Sequence, residues 1–291
     1  MMKIYFLDIK KEWEEFLREK IKREFVEDLE KAEILICRAK FTRINKDFLD
    51  KMFKLKMITT MSSGFDHIDL EECKKRGIVV CNVPCYCENS VAEHVFALIL
   101  SLLKKIFIGK NIKTSELHGK VLGVIGGGRI GLRVIEIGKA FGMKPICYDI
   151  FKDVGASEKL GFEYVELDKL LKDSDVISLH TPLNKKTYHL INDEKIEIMK
   201  SGVIFINCSR GEVVDSLALI KGLEKEKIKG AGLDVWEGDD NMFLGRKNVI
   251  ITFHNAANTR EAEEKVLNET VENVLSFIKG KERNIVKRSF F

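Results

Sequence analysis

The chain has 291 residues, 45% of them hydrophobic and 32% charged, with a formal net charge of +4 at pH 7. That length carries two domains with their own cores, and the longest apolar run, Val95–Leu103, is far short of the roughly 20 residues of a membrane span. The charges are mixed along the chain, which argues against a nucleic-acid surface, and seven cysteines without framework or zinc-knuckle spacing imply a reducing cytoplasm and no metal site.

The opening MMKIYFLDIKKEWEEF reads as a strand and a helix; no basic segment precedes an apolar core and a small-residue cleavage site, so no secretion signal is expected. KIYFLDI, EILIC, KMITTM and GIVVCN then predict four strands separated by charged or amphipathic helical segments. Asn89–Lys105 (NSVAEHVFALILSLLKK) carries apolar residues around most of a helix, as a helix buried between layers must. A second series follows: KVLGVIG, KPICYD, DVISLH, GVIFINC, KGAGLDV and NVIITF. Continuous apolar runs bounded by turn residues are the pattern of parallel strands covered on both faces, so the expected class is doubly wound α/β. A long helix over 258–279 ends the series.

The strand KVLGVIG runs into GGGRIG and then into a helical pattern, so Gly126, Gly128 and Gly131 form G-x-G-x-x-G between a strand and a helix. Gly126 permits the tight turn, Gly128 leaves room for a pyrophosphate, and Gly131 lets the helix close on the strand. First-turn amides of that helix point at the phosphates. The next strand ends in Asp149, eighteen residues past Gly131, where a carboxylate accepts from ribose hydroxyls and repels a 2′-phosphate. NAD is therefore expected over NADP, with Lys152 near enough to keep NADP open.

With these segments in view, the chain resembles the D-isomer-specific 2-hydroxyacid dehydrogenases. The resemblance is carried by SSGFDHIDLEECKKRGIVVCNVP, NSVAEH, HTPLNKKTYHLIN, INCSRGEVVD, GAGLDVWE and NVIITFHNAANT, in that order. It implies a Rossmann-type domain over 90–261 inserted into a smaller flavodoxin-like substrate domain built from 1–89 and 262–291. It also implies that substrate and nicotinamide meet in the cleft between the two. Cofactor contacts are expected from Ser90, Arg129, Ile130, His180, Thr181, Pro182, Cys208, Ser209 and Asp234, besides the three glycines and Asp149. Backbone amides of Ser62, Ser63 and Gly64, together with Arg210, are expected to hold the substrate. A soluble cytoplasmic homodimer is the expected form.

Reducing a 2-oxo acid requires a grip on the carboxylate, a polarised carbonyl and a proton for its oxygen. The resemblance assigns Arg210 to the first two and His254 to the third. A carboxylate beside His254 would favour its charged form. The stretch Asp234–Asp240 offers four acids, and the family position five residues past Asp234 selects Asp239, with Glu237 as the alternative and Asp240 left to solvent.

Several positions depart from the family pattern. Asp239 and Asp240 replace the usual Glu–Pro, Cys85 and Cys87 stand where Gly and Asn are usual, and Phe253 replaces a Pro before His254. The segment 106–119 is shortened in a region that helps pair subunits, and no appended regulatory domain is expected. Activity on glycerate/hydroxypyruvate, glyoxylate or lactate is the leading expectation. An NAD(H)-sensing binding protein on the same fold is the alternative, followed by oxidation of another anion such as formate or phosphite.

Overall fold

The computed structural model describes residues 2–38, 42–106, 113–239 and 241–286. Asp240, residues 107–112 of the shortened segment and residues 287–291 at the basic C-terminus, on which some of the expectations above fall, lie outside the described residues. The chain divides into two compact units, Met1–Tyr86 with Thr259–Phe291, and Cys87–Asn258.

The first unit begins with β1 (Lys3–Leu7), α1 (Lys11–Ile21), β2 (Glu24–Phe25) and β3 (Ile34–Cys37). It continues through α2 (Lys46–Asp50), β4 (Met57–Thr60), α3 (Leu70–Lys75) and β5 (Val79–Cys81). The sheet order is β2-β1-β3-β4-β5 with every neighbouring pair parallel, the flavodoxin-like arrangement. Every residue of β3 and β4 is buried, which is why both read as unbroken apolar runs. Helix α1 buries Trp13, Leu17 and Ile21, one residue per turn on a single face. The two-residue edge strand β2 is too short to show a period in sequence.

The second unit opens with α4 (Glu88–Lys104), β6 (Val121–Ile125), α5 (Arg129–Ala140) and β7 (Lys144–Tyr148). Then come α6 (Val154–Leu160), β8 (Glu163–Tyr164), α7 (Leu167–Asp173), β9 (Val176–Leu179) and α8 (Asp193–Ile198). It closes with β10 (Val203–Asn207), α9 (Ser216–Glu224), β11 (Ile228–Leu233) and β12 (Val249–Ile251). Its parallel sheet runs β12-β11-β10-β9-β6-β7-β8. Counted from β6 this is the Rossmann order with one strand added beyond the sixth. The order reverses between β6 and β9, which are hydrogen-bonded neighbours, so a crevice opens at their carboxyl ends.

The last helix, α10 (Arg260–Ile278), is capped by the Thr259 hydroxyl accepting from the Ala262 amide at 3.2 Å and belongs to the first unit. There Trp13 Nε1 donates to Glu263 at 2.7 Å, tying α10 to α1. Asn273 of the same helix, 1% exposed, donates to the Asn82 carbonyl at 3.0 Å, and Asn82 donates to the Ser63 carbonyl at 2.8 Å. The turn after β4 is thus held by a chain of amides reaching from the C-terminal helix.

Candidate active site

In the second unit, Gly126, Asp149, His180 and Asp234 immediately follow the ends of β6, β7, β9 and β11, while Arg210 and His254 lie three residues past β10 and β12. Because all these strands are parallel, the six residues gather along one edge of one sheet.

Gly126 has φ +102°, a conformation that costs glycine little and other residues much. A Cβ there would also stand 2.7 Å from the His180 carbonyl carbon, so the β6 and β9 loops touch backbone to backbone at the switch point. Asp149 binds the turn from the other side. Its Oδ2 accepts the Gly127 amide at 2.7 Å and its Oδ1 the Phe151 amide at 2.8 Å. A carboxylate has about four acceptor positions, so capacity for ribose hydroxyls remains. Lys152 is drawn to Glu166, 3.7 Å away on the surface.

Three observations test whether this loop fits a dinucleotide. Helix α5 has Gly128 as its N-cap and so no side-chain cap, and its first-turn amides, including those of Arg129, Ile130 and Gly131, are presented to a ligand rather than to a capping hydroxyl. A Cβ on Gly128 would meet nothing within 4 Å, which leaves room for a phosphate to approach the backbone. Finally, His180 Nδ1 and Thr181 Oγ1 are buried polar atoms with no hydrogen-bond partner. Such groups are costly unless a ligand or water completes them. The residues fit the group.

His180 is oriented by its Nε2, 2.8 Å from Ser178 Oγ, and burial pushes its pKa down to about 3. The ring is therefore neutral at physiological pH and serves as a hydrogen-bonding group. Pro182 follows in the same loop, its carbonyl accepting from Thr187 Oγ1 at 2.6 Å. Cys208 is likewise held as a thiol, its pKa raised well above the ordinary value by burial.

The catalytic loops are cross-linked to each other. Asn207, 1% exposed, accepts from the Ser209 amide at 3.0 Å and the Ser209 hydroxyl at 2.8 Å, and donates to the Arg210 carbonyl at 2.9 Å. Arg210 returns a bond from Nη1 to the Ser209 carbonyl at 2.8 Å. A Cβ on Gly211 would fall 2.8 Å from the Glu237 nitrogen and nearer still to Trp236, so this loop presses against the one after β11. Asp234, also 1% exposed, donates its amide to the Asn207 carbonyl at 2.9 Å, and its own carbonyl accepts the His254 amide at 2.6 Å. Its carboxylate accepts from Thr252 Oγ1 at 2.6 Å and from the Asn255 and Ala256 amides at 2.7 and 3.0 Å. Roughly one of its four acceptor positions is left for a ligand amide.

The acid cluster is sorted by its partners. Glu237 is held by His189 Nε2 at 2.6 Å and by the Tyr188 hydroxyl at 3.3 Å, with the two rings stacked. Asp239 is exposed, and its Oδ1 accepts the Asn241 amide at 2.7 Å. No hydrogen bond or ion pair joins Asp239 to His254 in the described residues. Ser90, expected at the cofactor, donates its hydroxyl to the Ala256 carbonyl at 2.8 Å. In the first unit, the Ser62 hydroxyl donates to the Gly64 carbonyl at 2.6 Å, shaping the turn after β4.

Residues 96–256 match the model of the D-isomer specific 2-hydroxyacid dehydrogenase NAD binding domain. The chain is 40% identical to the glyoxylate reductase of Thermococcus litoralis, over 82% of this chain and 78% of that protein. The chain belongs to the D-isomer specific 2-hydroxyacid dehydrogenase family. A D-lactate dehydrogenase from Aquifex aeolicus, solved with NAD and lactic acid, superposes with a TM-score of 0.88 at 40% identity, covering 95% of this chain and 96% of the other. The D-3-phosphoglycerate dehydrogenase of Methanocaldococcus jannaschii is 38% identical over 89% of this chain, which spans about half (52%) of that longer protein. The protein is an NAD-dependent dehydrogenase of this family, and NAD is its cofactor.

The dehydrogenase site also uses residues that sequence reasoning passed over. Asn207 organises the Arg210 loop, Ser178 orients His180, and Thr252 with His94 supports Asp234. The spacing of Ser90 and His94, four apart on one helix face, was a signal for the last of these. Nothing in the sequence around Asn207 or Ser178 marked them apart from strand residues. Among the described residues no group of three His, Cys, Asp or Glu side chains could hold a metal ion, and no helix is long and apolar enough to cross a membrane.

Proposed function

We propose that this dehydrogenase reduces a small 2-oxo acid to its D-2-hydroxy acid with Arg210, His254 and Asp239 as its catalytic residues. The observation that carries the reading is the fastening of the Arg210 and His254 loops to each other through Asn207 and Asp234, on the sheet edge that also bears the glycine-rich turn. Gly126, Gly128, Arg129, Ile130, Gly131 and Asp149 would hold the phosphates and adenosine ribose of NAD. Ser90, His180, Thr181, Pro182, Cys208, Ser209 and Asp234 would line the nicotinamide half. NADH, when bound, supplies the hydride that reaches C2 of the substrate.

Arg210 presents a planar fork that matches the carboxylate and carbonyl oxygens of the acid and stabilises charge developing on the carbonyl oxygen. His254 gives its proton to that oxygen, and in the oxidative direction the same ring takes the proton back. Asp239 is chosen over Glu237 to support the charged ring because Glu237 is already held by His189 and Tyr188, whereas Asp239 holds a single amide. Backbone amides of Ser62, Ser63 and Gly64 would bind the substrate carboxylate. Glyoxylate and pyruvate are the substrates proposed by analogy with the glyoxylate reductase and the D-lactate dehydrogenase named above, with hydroxypyruvate as a third small 2-oxo acid. A homodimer in the cytoplasm is the proposed working form; the seven cysteines, none of them in a disulfide, suit a reducing compartment.

The test is the loss of NADH absorbance with purified protein and glyoxylate, pyruvate, hydroxypyruvate and 3-phosphohydroxypyruvate, with an NADPH series alongside. Turnover that falls by about a thousandfold or more in His254→Asn supports the assignment. Turnover that survives that change removes His254 from the chemistry. Light scattering on the same sample reads the oligomeric state.

A further inference from the structure

Phe253 and His254 occupy consecutive left-handed conformations, with φ of 50° and 59°. For residues other than glycine each costs on the order of 1 kcal/mol or more, and such conformations persist only where the surroundings over-determine them. A proline, whose φ is locked near −65°, could not occupy position 253 in this loop. The loop that aims His254 is therefore held against its own preference.

The restraint comes from two directions. Asp234 grips the loop from within, through the bonds to Thr252, His254, Asn255 and Ala256 described above. Helix α4 grips it from outside at both ends. Ser90 Oγ donates to the Ala256 carbonyl at 2.8 Å, and one turn on, His94 Nε2 lies 2.9 Å from Thr252 Oγ1. One turn further, Leu98 packs so closely on β11 that a Cβ on Gly232 would stand 2.9 Å from the Leu98 Cβ. Ser90, His94 and Leu98 are spaced i, i+4, i+8, a single face of a helix that is seated on the sheet beside the loop.

The proton count gives His94 a definite role. Thr252 has one hydroxyl hydrogen, and it goes to Asp234 Oδ1 at 2.6 Å. The contact between Thr252 and His94 then needs its hydrogen from His94, so Nε2 carries the proton. That same nitrogen lies 3.7 Å from Asp234 Oδ1, so the imidazole and the Thr252 hydroxyl converge on one carboxylate oxygen.

We infer that His94 is a positioning residue for catalysis: its Nε2–H, acting through Thr252 on Asp234, fixes the 252–256 loop in the conformation that aims His254. The inference rests on the reading of His254 as the proton donor. His94 touches neither substrate nor cofactor in this scheme, so its loss should lower kcat while NADH binding is kept. Glutamine places an N–H donor near the same point, and leucine fills the space without one.

The experiment is a double-mutant cycle on the full-length enzyme, with kcat, KM for the 2-oxo acid, NADH affinity by fluorescence and the melting temperature measured for each variant. His94→Leu and Thr252→Val should each lower kcat by about tenfold or more, with NADH affinity within about threefold of the unchanged enzyme. The double variant should lose no more than the worse single one, because both interrupt one path. His94→Gln should recover kcat to within about threefold. Losses that multiply in the double variant, or a His94→Leu enzyme within about twofold of the unchanged kcat, overturn the inference. So does a loss confined to NADH affinity. If His94→Leu does not fold, Thr252→Val and His94→Gln decide alone: an unchanged kcat in Thr252→Val overturns it. A His254→Asn control separates the two levels, since activity in that variant defeats the reading of His254 itself, while an inactive control beside fully active relay variants defeats only the role of His94.

Discussion

Two glycines three residues apart in the dinucleotide turn should respond in opposite ways to the same small change. A Cβ on Gly131 would land on the Gly126 carbonyl oxygen, well inside van der Waals distance, and 3.1 Å from both the Gly126 carbonyl carbon and Val124 Cγ1. The obstacle is backbone on one side and a buried strand residue on the other, so α5 must move away from β6. Overpacking of this kind costs about 1–3 kcal/mol, and the fixed backbone places Gly131→Ala at about 3. For a unit of this size that is a fall in melting temperature of roughly 6–12 °C.

Gly128 has φ −74°, which any residue can adopt, and open space around its missing Cβ. Gly128→Ala should therefore melt within about 3 °C of the unchanged protein, the residual loss being the poorer capping of alanine. The added methyl nevertheless stands where a phosphate would approach the α5 amides, and NADH affinity should fall by about tenfold or more. Calorimetry without cofactor and NADH fluorescence titration read the two quantities separately. A Gly128→Ala protein with unchanged NADH affinity would refute the placement of the pyrophosphate, and a Gly131→Ala protein with unchanged melting would refute the packing argument.

His180 sets a pH limit on stability. Its folded pKa is about 3 against an ordinary 6.5, so between those values the unfolded chain binds the proton and the folded chain does not. Its contribution is complete above pH 6.5 and is lost as the pH falls toward 3, about 2 kcal/mol of it by pH 5; His180→Gln should flatten that part of a urea stability profile, and an unchanged slope would contradict the buried neutral ring. For the acid cluster, Asp239→Asn should lower kcat/KM by about tenfold or more and shift its pH profile, while Glu237→Gln should change kcat/KM by less than about threefold; the reverse outcome transfers the role to Glu237. Phe205, 0% exposed in the middle of β10, should cost about 3–5 kcal/mol as Phe205→Ala, read by denaturant unfolding.

The fold was legible because its signals are local. Each buried parallel strand is an unbroken apolar run, as in Val203–Asn207, and each run ends where a turn residue such as Gly126 or Asp149 begins. The strands that escaped, β2 and β8, are two residues long, below the length at which any pattern exists. The glycine spacing, the strand before it and the acid after it lie within one βαβ unit, and proximity in sequence made them readable together.

By itself, then, the sequence determined the two-unit α/β architecture, the dinucleotide turn and the family to which the chain belongs. Tertiary structure decided the partners. Glu237 is bound to His189, 48 residues away, Ser90 to Ala256 across 166, and His94 to Thr252 across 158. No spacing rule selects among four acids or six histidines, because a hydrogen bond is satisfied by distance and angle rather than by position along the chain. The strand order of the sheet brings those loops to one edge, and only there does Asp234 become the anchor of the loop that carries His254.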